Sequence, residues 1–158
     1  MSAKLFAAGA ALIVTVGAMQ FGAAAQSAKA DPRIAAIQQR QAGMKRIGAS
    51  MKTLVGFSKG DIEDPAQARA AGATMNGLAR QLPGWWRPGT AVGVGKSKAK
   101  PEIWQQRRQF NERIAAFRGA AAAMNRAAAT GDRAKVGEEI KPLGGSCKGC
   151  HDLYQVKS

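Results

Sequence analysis

Two thiols and one imidazole stand together close to the end of the 158-residue chain, in the run Cys147-Lys148-Gly149-Cys150-His151. This is a Cys-x-x-Cys-His spacing, the attachment pattern for c-type haem. Two thiols three positions apart on a helical turn can each add to a vinyl group of one porphyrin. The next side chain, His151, then falls beneath the iron as an imidazole ligand. Other chemistries fit less of the pattern. A thioredoxin-like dithiol expects a preceding strand and a βαβ context, which the sequence lacks. A zinc site normally takes four ligands, and the chain holds two cysteines and one histidine in all. A Cys147–Cys150 disulfide in a haem-free basic helical protein stays open, although it leaves the position of His151 unexplained. One haem c, covalently held through two thioethers, is the leading expectation.

The elements that must position these groups read as amphipathic helices. Asp31-Pro32 is a cap followed by proline at the first helical position, and Ile34, Ile37, Gln41, Met44, Ile47, Met51, Leu54 and Val55 follow at three- and four-residue steps. The pattern fails near Ser58-Lys59-Gly60. Asp64-Pro65 repeats the signal, with Ala68, Ala71, Met75, Leu78 and Leu82 as the second stripe up to Pro83-Gly84. Residues 83–100 form a long Gly-, Pro- and Lys-rich connection containing Trp85, Trp86 and Val92, and a loop of that length has a job or covers something. Pro101-Glu102 is expected to open the third helix, with Ile103, Phe110, Ile114, Phe117, Ala121 and Met124 inward. Gly131-Asp132 ends it and caps a fourth, whose stripe Val136, Ile140, Leu143, Cys147, Cys150 and Tyr154 includes both cysteines. Pro142 is expected to kink that helix or to mark its true start. No strand pattern is present. The expected fold is all-α, an antiparallel four-helix bundle with haem inserted at one end.

Residues 1–30 read as an export signal rather than as structure. Lys4 supplies the charged start, the run from Leu5 to Met19 is apolar or small, and Ala23-Ala24-Ala25 and Ala28-Lys29-Ala30 offer cleavage after Ala25 or Ala30. The apolar run is short for a membrane span, and no second candidate follows. Residues 31–158 then form one exported domain in the periplasm, large enough for a core. The formal charge of +14 stays strongly positive when Lys4 and Lys29 are removed. Export and the lack of aromatic interleaving among the basic residues exclude a nucleic-acid partner, while an acidic redox partner fits the charge. No acid, base or nucleophile constellation suggests an enzyme.

Taken together, these residues resemble the class II c-type cytochromes, the cytochromes c prime and their low-spin relatives. The resemblance is carried by the C-terminal Cys147-Lys148-Gly149-Cys150-His151-Asp152 with Tyr154, by Arg40-Gln41, by Leu82-Pro83 and by Pro101-Glu102-Ile103-Trp104. It implies that Cys147 and Cys150 anchor the haem and that His151 is the proximal ligand. It places Arg40 beside a haem propionate, where a guanidinium can pair with a carboxylate in bidentate fashion. Met44 falls at the position facing the distal side of the iron, and Trp86 at a place where members carry an aromatic residue lining the distal pocket. Gln155 stands where cytochromes c prime commonly have a basic residue.

The resemblance divides at Met44. A thioether on iron gives a six-coordinate carrier with a raised potential, and a residue that only packs over the iron leaves a site for gases. The first reading is an exported single-electron carrier with iron held by His151 and Met44. The alternative is a five-coordinate cytochrome c prime that binds nitric oxide or carbon monoxide. Family members are often homodimers through the first two helices, and the stripes here leave that open.

Overall fold

The computed structural model describes residues 31–157, so the expected export signal and its cleavage sites lie outside the described residues. Aspartates start three of the four long helices. Asp31 accepts from Arg33 N–H at 2.8 Å and opens α1, Pro32–Lys59. Asp64 accepts from Ala66 N–H at 2.8 Å and opens α2, Pro65–Gln81. Asp132 accepts from Ala134 N–H at 2.8 Å and opens the last helix. Each side chain satisfies an amide that the first helical turn leaves without a partner. Gly60 and Gly131 end their helices at φ of 88° and 73°, a left-handed backbone that other residues adopt only with strain.

The third segment departs from expectation. Pro101-Glu102 opens only a one-turn helix, α3, Glu102–Gln105. The chain leaves helical geometry at Gln106, with φ of −110° and ψ of 47°, and then starts the long α4, Arg107–Thr130. The break orients two anchors separately: Ile103 and Phe110 are both buried. The last helix, α5, Arg133–Tyr154, starts at its aspartate cap and runs through Pro142, so the proline does not mark its beginning. Pro142 sits on the exposed face, away from the core.

Packing follows the apolar stripes. In the bundle α1 lies against α2 and α5, and α4 lies against the same two, so α1 and α4 occupy opposite corners. Phe57, Leu54, Met75, Phe110, Met124, Val136 and Leu143 form the most deeply buried part of the core. Burying side chains of this size contributes roughly 1.5–3 kcal/mol each. These helices form the antiparallel four-helix bundle expected from the stripes. Among the described residues the only strand-like pairing is a single bridge between Ala99 and Gln155.

The connection after α2 is ordered by contacts rather than by regular structure. It begins with a 3₁₀ turn, Leu82–Trp85, which buries Leu82 and Trp85. Trp85 lies so close to α1 that a Cβ on Gly43 would come within 2.2 Å of its ring. Farther on, Lys100 N–H donates to Tyr154 O at 2.9 Å and Val156 N–H to Lys98 O at 2.9 Å, fastening the loop to the end of α5. The loop therefore closes over the end of the bundle that carries the cysteines.

Candidate haem site

The last two turns of α5 bring Cys147, Cys150 and His151 to the edge of the core. Both cysteines are free thiols, half-buried and packed against the apolar cluster. Burial pushes the Cys147 thiol up. It pushes Cys150 to about 11, helped by the neighbouring Cys147 and opposed by the Arg113 charge. Two adjoining cavities open beside them. One, of about 430 Å³, is lined by Arg40, Gln41, Lys45, Lys96, Lys98 and Tyr154 among others. The second, of about 290 Å³, has the apolar side chains of Ile47, Met51, Leu82, Ile114 and Phe117 on its wall, together with Cys147. Met44, Trp86, Cys150 and His151 line both cavities. All six residues singled out in the sequence thus meet at one place.

Arg40 is the unusual member. It is 4% exposed, and its guanidinium donates to Thr90 Oγ1 at 3.0 Å, to Thr90 O at 3.1 Å and to Ser97 Oγ at 2.9 Å. It also stacks 5.0 Å from the centroid of the Trp86 ring. All its hydrogen-bond acceptors are uncharged, and burial pulls its pKa down. A cation held this deeply without a carboxylate is set up to receive an anion. Trp86 carries a second unmet demand. Its ring packs edge-on against Phe110 at 4.9 Å, and its Nε1 is buried with no hydrogen-bond partner.

These features fit a haem. A flat, mostly apolar group with ionised carboxylates at one edge meets apolar walls in one cavity and a buried cation in the other, with two thiols and an imidazole at their boundary. Thr90 and Ser97 were not legible as site residues. As single polar residues in a loop they give no sequence signal beyond the length of that loop.

An all-α bundle with such a C-terminal site defines a class, the four-helix haem c proteins. The family described as Cytochrome C' matches residues 35–155, and the chain belongs to it. A cytochrome c' of Pararhodospirillum photometricum is 32% identical over 119 residues, covering 75% of this chain and 94% of the relative. Among solved structures, a cytochrome c' described as having ligand-controlled dimer dissociation superposes with a TM-score of 0.74 at 31% identity, covering 80% of this chain and 98% of that one. A ferrous variant of cytochrome c prime from Alcaligenes xylosoxidans with bound NO gives a TM-score of 0.71 at 28% identity, covering 80% and 97%. Membership makes this chain a haem c protein of the electron-transfer class and not an enzyme. The expected periplasmic location accords with the family, and among the described residues no helix is long and apolar enough to cross a membrane.

The same relatives overturn the expectation of a His151–Met44 electron carrier. The solved structures reported above are cytochromes c', one of them holding a diatomic gas in its ferrous form, and a second protein ligand on iron would compete with such a gas. The resemblance alone puts Met44 over the iron, and a methionine on an apolar stripe has the same sequence signature whether it packs or binds metal. In the structure its half-buried side chain packs against the apolar core and forms wall for both cavities.

Proposed function

We propose that this protein is an exported, five-coordinate haem c protein that takes up nitric oxide or carbon monoxide. The observation that carries the reading is the apolar wall of Met44, Ile47, Leu82, Ile114 and Phe117 around the cavity next to His151, so that a haem seated there meets apolar side chains and no nitrogen or oxygen ligand from that wall. When bound, the haem supplies an iron with an open coordination position and a one-electron couple. Cys147 and Cys150 hold it through thioethers, and His151 is the only side chain on iron. Arg40 offsets the charge of a propionate. Met44 restricts the space over the open face, so that small diatomic ligands enter and larger ones do not.

The test is the visible and near-infrared absorption of the purified holo-protein, oxidised and reduced, with and without carbon monoxide. A broad high-spin spectrum that shifts with the gas is expected. Sharp low-spin bands indifferent to carbon monoxide would refute the reading. The ferrous iron must be supplied with an electron, and the exposed Lys45, Lys96 and Lys98 at the cavity mouth support docking of an acidic donor protein. The relative whose dimer dissociates under ligand control supports a homodimer here too, with the exposed Arg46, Ala49, Gln67 and Ala70 on the α1–α2 face as the pairing surface.

A further inference from the structure

We infer that the Trp86 indole N–H is a second carboxylate donor of the haem site, acting beside Arg40 to fix one propionate. The inference rests on the haem reading above and adds a residue whose expected part was to line the pocket. Its basis is a disagreement between burial and hydrogen bonding. Trp86 Nε1 is buried without a partner, while Trp104 Nε1 donates to the Trp86 carbonyl at 3.2 Å and is satisfied. A buried N–H without an acceptor keeps its full desolvation cost, so a native structure that holds one has an acceptor for it in the working protein.

Three observations select a carboxylate as that acceptor. The Arg40 guanidinium lies over the Trp86 ring at 5.0 Å, so an anion drawn to the cation arrives next to the indole. That cation has no carboxylate partner of its own: its hydrogen bonds go to Thr90 and Ser97. The charged groups that line the same cavity are Arg40, Lys45, Lys96 and Lys98, all basic, with Cys150, His151 and Tyr154 as its other titratable side chains. Division of labour follows. Arg40 supplies charge, and its geometry is set by the loop through Thr90 and Ser97. Trp86 supplies one directional hydrogen bond from a rigid ring, itself fixed against Phe110.

A gas ligand on the iron is the competing acceptor, and the two are separable by spectroscopy. Trp86→Phe keeps an aromatic ring and removes the N–H. In holo-protein carrying haem labelled with ¹³C at the propionate carboxyls, the variant should shift the labelled carboxylate stretch. It should also lower the reduction potential, because a less neutralised carboxylate favours the ferric state. The C–O stretch of the ferrous carbon monoxide adduct should not move. An unchanged carboxylate band with a shifted C–O stretch would overturn the proposal in favour of a gas-ligand donor. No change in either would show an N–H without an acceptor and overturn it too. If the phenylalanine variant fails to take up haem, benzothienylalanine at position 86 replaces the N–H by sulfur in the same shape and reads the same bands. Wild-type protein that forms no haem adduct at all would instead defeat the haem reading itself.

Discussion

Met44 shows how far a single residue can be read. Its position one helical turn beyond Arg40 put it in the site, and both cavities are walled by it, but sequence spacing carries no information on whether sulfur reaches iron. As a wall residue, Met44→Ala is expected to leave the high-spin spectrum unchanged and to raise the affinity for carbon monoxide several-fold, read from a gas titration of ferrous protein. A shift from low-spin to high-spin on this substitution would restore Met44 as a ligand. Arg40 was placed beside a propionate by resemblance alone, since a helix-face arginine is normally solvated. Its burial comes from Thr90 and Ser97, 50 and 57 residues away, a pairing that no local pattern encodes. Caps are the opposite case, because aspartate, proline and the first amide are neighbours in sequence. The Arg33 side chain and backbone N–H bonding to Asp31 hold its carboxyl below its ordinary value of 3.8. A depressed folded-state pKa means that its stabilisation is present above the unfolded pKa and lost as pH falls through the folded one. Asp31→Asn should therefore flatten slightly the acid limb of the melting temperature below about pH 4, and leave that limb unchanged if the pair is fully screened.

At the level of elements, the stripes of α1, α2, α4 and α5 were legible because each helix meets the core along one face. The break at Gln106 was not, since the residues around it, Gln105-Gln106-Arg107, carry no glycine or proline and read as continuous helix. The decision there belongs to tertiary packing, which seats Ile103 and Phe110 in directions that one helix would not combine. The loop of residues 83–100 was legible as a cover, yet its grip on the bundle was not. That grip has two handles, Trp85 against Gly43 and Thr90 with Ser97 around Arg40. Gly43→Ala forces a Cβ into the Trp85 ring at 2.2 Å, and neither α1 nor a buried indole moves freely. Overpacking of this kind costs about 1–3 kcal/mol, so denaturant unfolding of the holo-protein should show a lower midpoint with an unchanged slope. An unaltered midpoint would mean that the loop relaxes at no cost and does not clamp the site.

For the whole molecule, one end of the bundle is finished by side chains and the other is left with open cavities. At the end where α1 meets α2, Phe57 and Leu54 are fully buried and Arg133 stacks on the Phe57 ring at 5.4 Å. At the other end the helices and the loop surround cavities of about 430 and 290 Å³, space that the protein's own side chains do not fill. Cavities of that size are costly when empty, because the lining atoms lose dispersion contacts and the buried Arg40 keeps its desolvation without an anion. On the proposed reading the haem is in this sense core, and thioethers to Cys147 and Cys150 would make that core irreversible. A Cys147→Ser, Cys150→Ser variant made without haem should thus be less stable than holo-protein by at least about 3 kcal/mol, the scale of deleting one large buried side chain. Guanidinium unfolding followed by far-ultraviolet circular dichroism measures this. The loss should be largest at the C-terminal end of α5 and in residues 83–100, where hydrogen exchange of the Lys100 and Val156 amides, bonded at 2.9 Å in the folded protein, should become fast. Equal stability and equal protection in the haem-free variant would show that the bundle closes on itself, and that the cavities are spare volume rather than a core awaiting its largest member.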